Sequence, residues 1–213
     1  MMTNRLFGSG WLKKILITLL LVPALIYLTK VGVADFLRLA PCAYLKAVQK
    51  GGVPLDPVKL AVARERLLLA RSWDASNPVI PEFIGHIAYM RAQSGYFTPR
   101  RQAVFLQEAI DEFEQAIKLR PNSAYLWAAR MTMGSLLIDV SVQAGSNDDA
   151  LLKRELRAIT MAMHRAAVLG PWEPPVLRQI VKVGASRYQG FSVGEQKLVD
   201  EAVTRAKRLN LKI

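Results

Sequence analysis

The sequence predicts an all-α protein: an N-terminal transmembrane helix followed by a helical-hairpin solenoid of about eight helices. Three observations predict it. The run from Ile15 to Leu28 holds fourteen uncharged residues, Thr18 being the polar exception. Beyond residue 35 no segment alternates cleanly over five residues, and no Asn-Gly or Asp-Gly hairpin turn occurs. Helix stop and start signals recur instead, and part of the chain repeats itself at an offset of 50 residues.

Composition excludes several classes. The 213 residues are 52% hydrophobic, too apolar for a disordered chain. A single cysteine rules out an intramolecular disulfide framework and a cysteine-based zinc site, and two histidines leave little for triad or metal chemistry. There is no P-loop, G-x-G-x-x-G, H-E-x-x-H or G-x-S-x-G string. The expectation is no enzyme, no cofactor and no metal.

The first element is the anchor. Counted outward past Lys13, Lys14 and Lys30, the apolar stretch extends from Trp11 to Ala34, enough for the ~20 helical residues that cross a hydrocarbon core. Pro23 is tolerable within a membrane helix, and Trp11 and Tyr27 suit the headgroup layers. Cleavage as a signal peptide at Gly32-Val33-Ala34 is the alternative, disfavoured by Lys30. Leu39-Ala40-Pro41-Cys42 is a poor lipobox, so Cys42 reads as a small buried residue. Arg5, Lys13 and Lys14 precede the span without an acidic residue, which predicts a cytoplasmic N-terminus. In a bacterial inner membrane the body would then be periplasmic. The division is 1–34, cytoplasmic N-terminus and anchor, and 35–213, helical domain. The net charge is +12, and the body retains an excess of cations without those of 1–34. That favours anionic neighbours such as headgroups or acidic glycans.

Eight helices are expected after the span. A segment over 35–49 ends at Gly51-Gly52. Asp56-Pro57 is an N-cap with proline at the first helical position, and Asn77-Pro78 and Thr98-Pro99 open the next two helices. Pro121-Asn122-Ser123 ends the fourth and caps the fifth, Gly145-Ser146-Asn147 precedes the sixth, and Pro174-Pro175 starts the seventh. Ser192-Val193-Gly194-Glu195 is a capping box that opens the last.

FEQAIKLRPNSAYLW from Phe113 aligns with MHRAAVLGPWEPPVL from Met163, so that Ala116, Leu119 and Pro121 fall on Ala166, Leu169 and Pro171. Weaker copies lie around Ala70 and Trp73, and around Ala206 and Leu209. In each, a small residue admits a close helix neighbour and a large apolar residue three positions on plugs the turn. Ala109, Phe113, Ala116 and Pro121 stand at the spacing of the second helix of a tetratricopeptide repeat. Ile84-Gly85 resembles the Leu-Gly pair of its first helix, and Trp127 its leading Trp. The chain departs from that family in its 40–50-residue spacing, and Arg130-Met131 stands where the third repeat should carry Leu-Gly. The layout, with the string Ala70, Arg71, Asp74, Asn77, Pro78, Glu82 and Gly85, also faintly resembles the VpsP-type proteins of bacterial exopolysaccharide gene clusters.

The tetratricopeptide resemblance implies a concave groove lined by Glu82, His86, Tyr89, Tyr125, Thr132, Arg178 and Lys182. Alternative chemistry is weaker. His86 reads as an interhelical histidine and His164 as surface. Asp111, Glu112 and Glu114 read as a solvated face, with Glu114 and Lys118 an i, i+4 pair. Met131, Met133, Met161 and Met163 read as core filler. The basic faces, Arg64, Arg66 and Arg71 among them, lack the interleaved aromatics of a single-strand binder, so no nucleic acid is expected. The resulting expectation is a membrane-anchored, non-catalytic adaptor of the cell envelope that assists exopolysaccharide biosynthesis or export. Its partners would be envelope or membrane proteins in the groove, lipid around the anchor, and an anionic glycan as a further candidate. The alternatives are an anchored periplasmic chaperone of exported proteins, or a substrate-handling subunit of a glycan- or lipid-directed enzyme.

Overall fold

The local start signals become helices where the sequence places them. In the computed structural model, which describes residues 9–146 and 148–212, eight α-helices run in order: α1 Ser9–Gln49, α2 Pro57–Trp73, α3 Val79–Gln93, α4 Pro99–Leu119, α5 Ala124–Gln143, α6 Asp149–Leu169, α7 Pro174–Arg187 and α8 Val193–Arg208. A 3₁₀ turn, Tyr188–Gly190, joins the last two, and no strand occurs among the described residues. Arg5 and Asn147 lie outside the described residues, as does the side chain of Lys13.

Asp56 accepts from the amides of Val58 and Lys59, and Asp148 from that of Leu151. The box at α8 closes reciprocally: Ser192 N–H donates to Glu195 at 2.6 Å and Glu195 N–H to Ser192 Oγ at 3.5 Å. Such caps contribute ~1 kcal/mol each. Thr98 and Ser123 occupy N-cap positions but make no side-chain cap bond, so at α4 the proline at the first position carries the signal alone.

Span and first body segment form the single 41-residue helix α1, with Pro23 and Pro41 inside it. The segment expected over 35–49 is thus helical as part of α1, and seven further α-helices follow it among the described residues. Each proline deletes one backbone hydrogen bond, a cost that lipid-embedded and packed helices tolerate. The long apolar stretch of α1 is a candidate membrane span by length and composition. Every described side chain from Lys14 to Lys30 is exposed, whereas contact with the body begins at Val31 and fully buries Ala34.

From there the helices pack in succession. Leu45 of α1 joins Leu60, Leu67 and Ala70 of α2 and Ile80, Ile84 and Ile87 of α3 in a first core. Phe105, Ala109, Phe113 and Ala116 of α4 pack with Leu126 and Met133 of α5 in a second. Met131, Ile159, Met163, Ile180 and Val199 tie α5 to α8 in a third, and Trp127 packs against both of the latter two. Three of the four methionines are core, but Met161 is exposed.

The repeat has a structural counterpart. Ala70, Ala116, Ala166 and Ala206 are all fully buried near the ends of α2, α4, α6 and α8. The carbonyls of the first three accept the amides of Asp74, Arg120 and Gly170 at 3.0, 2.9 and 2.9 Å, and that of Ala206 accepts from Leu211 at 3.0 Å. The turn plugs are less uniform. Leu169 packs on the third core, while Trp73, Leu119 and Leu209 are about two-fifths exposed.

The small first-helix position of the third hairpin is not at Arg130-Met131. It is Met133-Gly134, 49 residues after Ile84-Gly85 and 50 before Val183-Gly184. A Cβ on Gly85 would sit 3.2 Å from the Phe113 ring of α4. On Gly134 it would sit 3.1 Å from Ile159 of α6, and on Gly184 2.5 Å from Val199 of α8. In each of these hairpins a glycine in the first helix admits a large side chain of the second.

Candidate binding groove

The groove residues predicted from sequence fall on α3, α5 and α7, the first helices of successive hairpins. Glu82, His86 and Tyr89 lie four and three residues apart and share one face of α3; Tyr125 and Thr132, seven apart, share one of α5. Arg178 and Lys182 share one of α7. The structure joins them in two groups. His86 Nε2 and Tyr125 Oη are 2.9 Å apart, a hydrogen bond from α3 to α5. Phe113 meets the imidazole edge-on, with ring centroids 5.1 Å apart. Glu82 on the next turn accepts from Arg120 at the end of α4, at 2.6 Å. In the second group, Thr132 Oγ1 lies 3.1 Å from Gln179 Oε1 and 3.0 Å from the Ala128 carbonyl, which bridges α5 to α7. Arg178 and Lys182 stand exposed beside it and make no ion pair among the described residues. Tyr89 is partly buried against the second core.

Burial sets the charge state of this surface. It lowers the His86 pKa to about 4, so the ring is neutral at physiological pH. It also pushes Tyr125 up to about 12, with the Glu82 charge adding to the effect. Glu82 itself is raised by burial, against the pull of Arg120. Tyr89 is raised by burial as well. A general base works best when its pKa lies near the operating pH, and neither His86 nor Tyr125 titrates there. Among the described residues no group of three His, Cys, Asp or Glu side chains comes together to hold a metal ion. The arrangement offers neutral hydrogen-bonding rings at one end and two exposed cations at the other.

Three polar features escaped the sequence reading. Arg187 reaches from α7 to α5, donating to Ser135 Oγ, to the Ser135 carbonyl and to Asp139 at 2.6–2.8 Å. Arg64 and Arg71 of α2 pair with Glu108 and Glu112 of α4, so much of the basic face is neutralised between helices. Glu114 is likewise taken, by Arg130 at 2.8 Å and not by Lys118. Arg130 also faces Glu155 of α6, and these two residues are 5% and 1% exposed. Arg130 Nη2 lies 2.9 Å from Glu155 Oε2, close enough for an ion pair but short of hydrogen-bond geometry, and neither Arg130 Nη1 nor Glu155 Oε2 has a hydrogen-bond partner. Gly134 makes room for this pair: a Cβ there would sit 2.8 Å from Arg130 Nη1. The sequence signal was available in the spacing, since a glycine one turn beyond an arginine on an otherwise apolar helix leaves space for the guanidinium.

No model of a known protein family matches the chain, and no curated protein matches it.

Proposed function

We propose that this protein is a single-pass, non-catalytic adaptor of the bacterial cell envelope, its hairpins being degenerate tetratricopeptide-like repeats whose α3–α5–α7 face binds an extended peptide or a neighbouring envelope protein. The observation that carries this reading is the division of labour on that face. Its titratable groups with chemical potential are neutral or paired, whereas Arg178 and Lys182 are exposed and uncommitted. Solenoids use such extended faces for side-chain recognition. Confinement to a bilayer raises the effective concentration of membrane partners without any added contact. Exopolysaccharide biosynthesis or export is the process proposed, on the faint resemblance of the layout to VpsP-type proteins alone.

Arg178→Glu/Lys182→Glu is expected to abolish co-purification of envelope proteins while shifting the circular dichroism melt negligibly, since exposed substitutions usually change stability by less than ~0.5 kcal/mol. Partner capture by the wild type should also weaken with salt. Unchanged partners in the double variant would remove this face from the proposal, and turnover of a glycan or lipid by the purified protein alone would replace it with an enzyme.

The inner-membrane location and N-in orientation belong to the same proposal. A phosphatase that is active only outside the cytoplasm, fused after Ile213, is expected to be active, and the chain is expected to stay in the pellet after carbonate extraction. A fluorescent cytoplasmic fusion would reverse the orientation, and release into the supernatant would mean that the span is cleaved.

A further inference from the structure

The apolar stretch of α1 runs into the body without a linker, so helix register fixes the level of the body's nearest end. α2 runs antiparallel to the upper part of α1. Where α2 begins, Tyr44 Oη accepts from the Asp56 amide at 3.1 Å, and further along Pro41 and Ala63 line one shallow groove. Continued at 1.5 Å per residue, both pairings bring the C-terminal end of α2 level with about Lys30. There the apolar stretch ends, and contact between α1 and the body begins one residue later, at Val31.

That end of the body is amphipathic. Trp73, the last residue of α2, is 42% exposed, and Leu69 one turn earlier is 50% exposed. Leu119 ends α4 at the same edge, since Arg120 beside it donates to Glu82 in the first turn of α3. Carboxylates nearby are engaged within the protein: Asp35 with Arg38, Glu82 with Arg120 and Glu112 with Arg71. Asp74 accepts from the amide and hydroxyl of Ser76 inside the α2–α3 turn. Lys30 and Lys118 are exposed and make no ion pair among the described residues. The opposite edge, with the α3–α4 turn, lies one α2 length away, ~25 Å for its 17 residues. Tyr96 in that turn is 75% exposed, so exposure alone assigns no partner; level along α1 does.

We propose that the α2–α3 turn and the end of α4 form a foot that rests in the headgroup layer of an anionic bilayer, with Trp73 entering that layer beside α1 and Lys118 facing the lipid phosphates. The inference rests on the single-pass reading of α1. A spanning α1 sets Lys30 at the boundary of the hydrocarbon core, and Trp73 at the same level then stands in the headgroups. Indole favours that layer, because its ring is apolar and its N–H still finds a partner there. The two lysines keep their stems against apolar neighbours and their ammonium groups among phosphates. The headgroup layer is only ~5–7 Å deep on each side, so the opposite edge cannot share this contact. Arg178 and Lys182 on α7 are no part of the foot.

The test uses the full chain with Cys42→Ala, reconstituted in vesicles of phosphatidylcholine and phosphatidylglycerol. Single cysteines carry a fluorophore in the α2–α3 turn (Ala75→Cys), the α4–α5 turn (Asn122→Cys), the opposite edge (Tyr96→Cys) and the span (Leu20→Cys). A nitroxide on the lipid headgroup is expected to quench the labels at positions 75 and 122 about threefold more than the label at 96. Omitting phosphatidylglycerol, or introducing Lys118→Glu, should cut the quenching at position 122 by about half, as should high salt. The melt of Lys118→Glu should match that of the parent, since the side chain is exposed. Equal quenching at 75, 122 and 96, or quenching indifferent to both lipid charge and Lys118, would overturn the proposal. The label at Leu20→Cys separates the foot from the span. If a nitroxide on the acyl chain quenches it while positions 75 and 122 stay unquenched, the span stands and the foot falls. If it escapes that nitroxide, the single-pass reading falls and takes the foot with it.

Discussion

Arg130→Met is expected to destabilise the body by about 3–5 kcal/mol, the usual cost of leaving one partner of a buried ion pair uncompensated. Glu155 is almost fully buried, and without Arg130 its remaining cation is Arg154, which is mostly exposed and 3.1 Å away. The double variant Arg130→Met/Glu155→Leu is expected to recover most of that loss, because well-packed apolar residues of similar volume replace buried pairs at little or no cost. Circular dichroism melts and denaturant titrations of the full chain in detergent measure both. Equal destabilisation of the single and double variants would mean that the two side chains are not energetically coupled.

Acidification from pH 7 to 4 is expected to cost stability through His86. An ordinary histidine titrates near 6.5, whereas burial holds this one at about 4. The folded state therefore binds fewer protons than the unfolded state throughout that interval. Its contribution is complete above pH 6.5 and is lost as pH falls toward 4, on the order of 3 kcal/mol at 1.36 kcal/mol per pH unit. Glu82, whose pKa is raised by burial, acts in the opposite sense at the acid end. The decisive quantity is thus the difference between wild type and His86→Phe measured at each pH. The variant should lose less stability between pH 6.5 and 4, and parallel curves would sink the assignment.

What the sequence disclosed was local. Asp56, Asp148 and Ser192 cap helices because an N-cap needs only its own side chain and the next three amides, all within one turn. The Ala116–Ala166 repeat was legible for the same reason, since a small residue three positions before a helix end is a short-range pattern. The continuity of α1 was not. Lys30, Gly32 and Asp35 mark a change of solvent, which reads as a boundary although the backbone hydrogen bonds run straight through it. Arg130 and Glu155 are 25 residues apart and meet only because α5 crosses α6 at Gly134. Counted from Trp127, the tetratricopeptide spacing falls at Arg130-Met131, one turn short of that glycine. Of the groove, the face was legible from helical spacing. The links Glu82–Arg120 and Thr132–Gln179 depend on how hairpins stack, which no local pattern encodes.

The absence of a linker in α1 makes the body a lever. In a protein tethered by a flexible chain, the thickness of the bilayer affects only the anchor. Here a membrane thinner than the apolar stretch obliges the span to lean, and tilts of ~20° are ordinary for such helices. Because the same helix passes into the first core at Leu45, a straight α1 would carry the hairpins with that tilt. With α1 spanning a bilayer as proposed, the height and bearing of Arg178 and Lys182 above the lipid would thus follow the local thickness of that membrane.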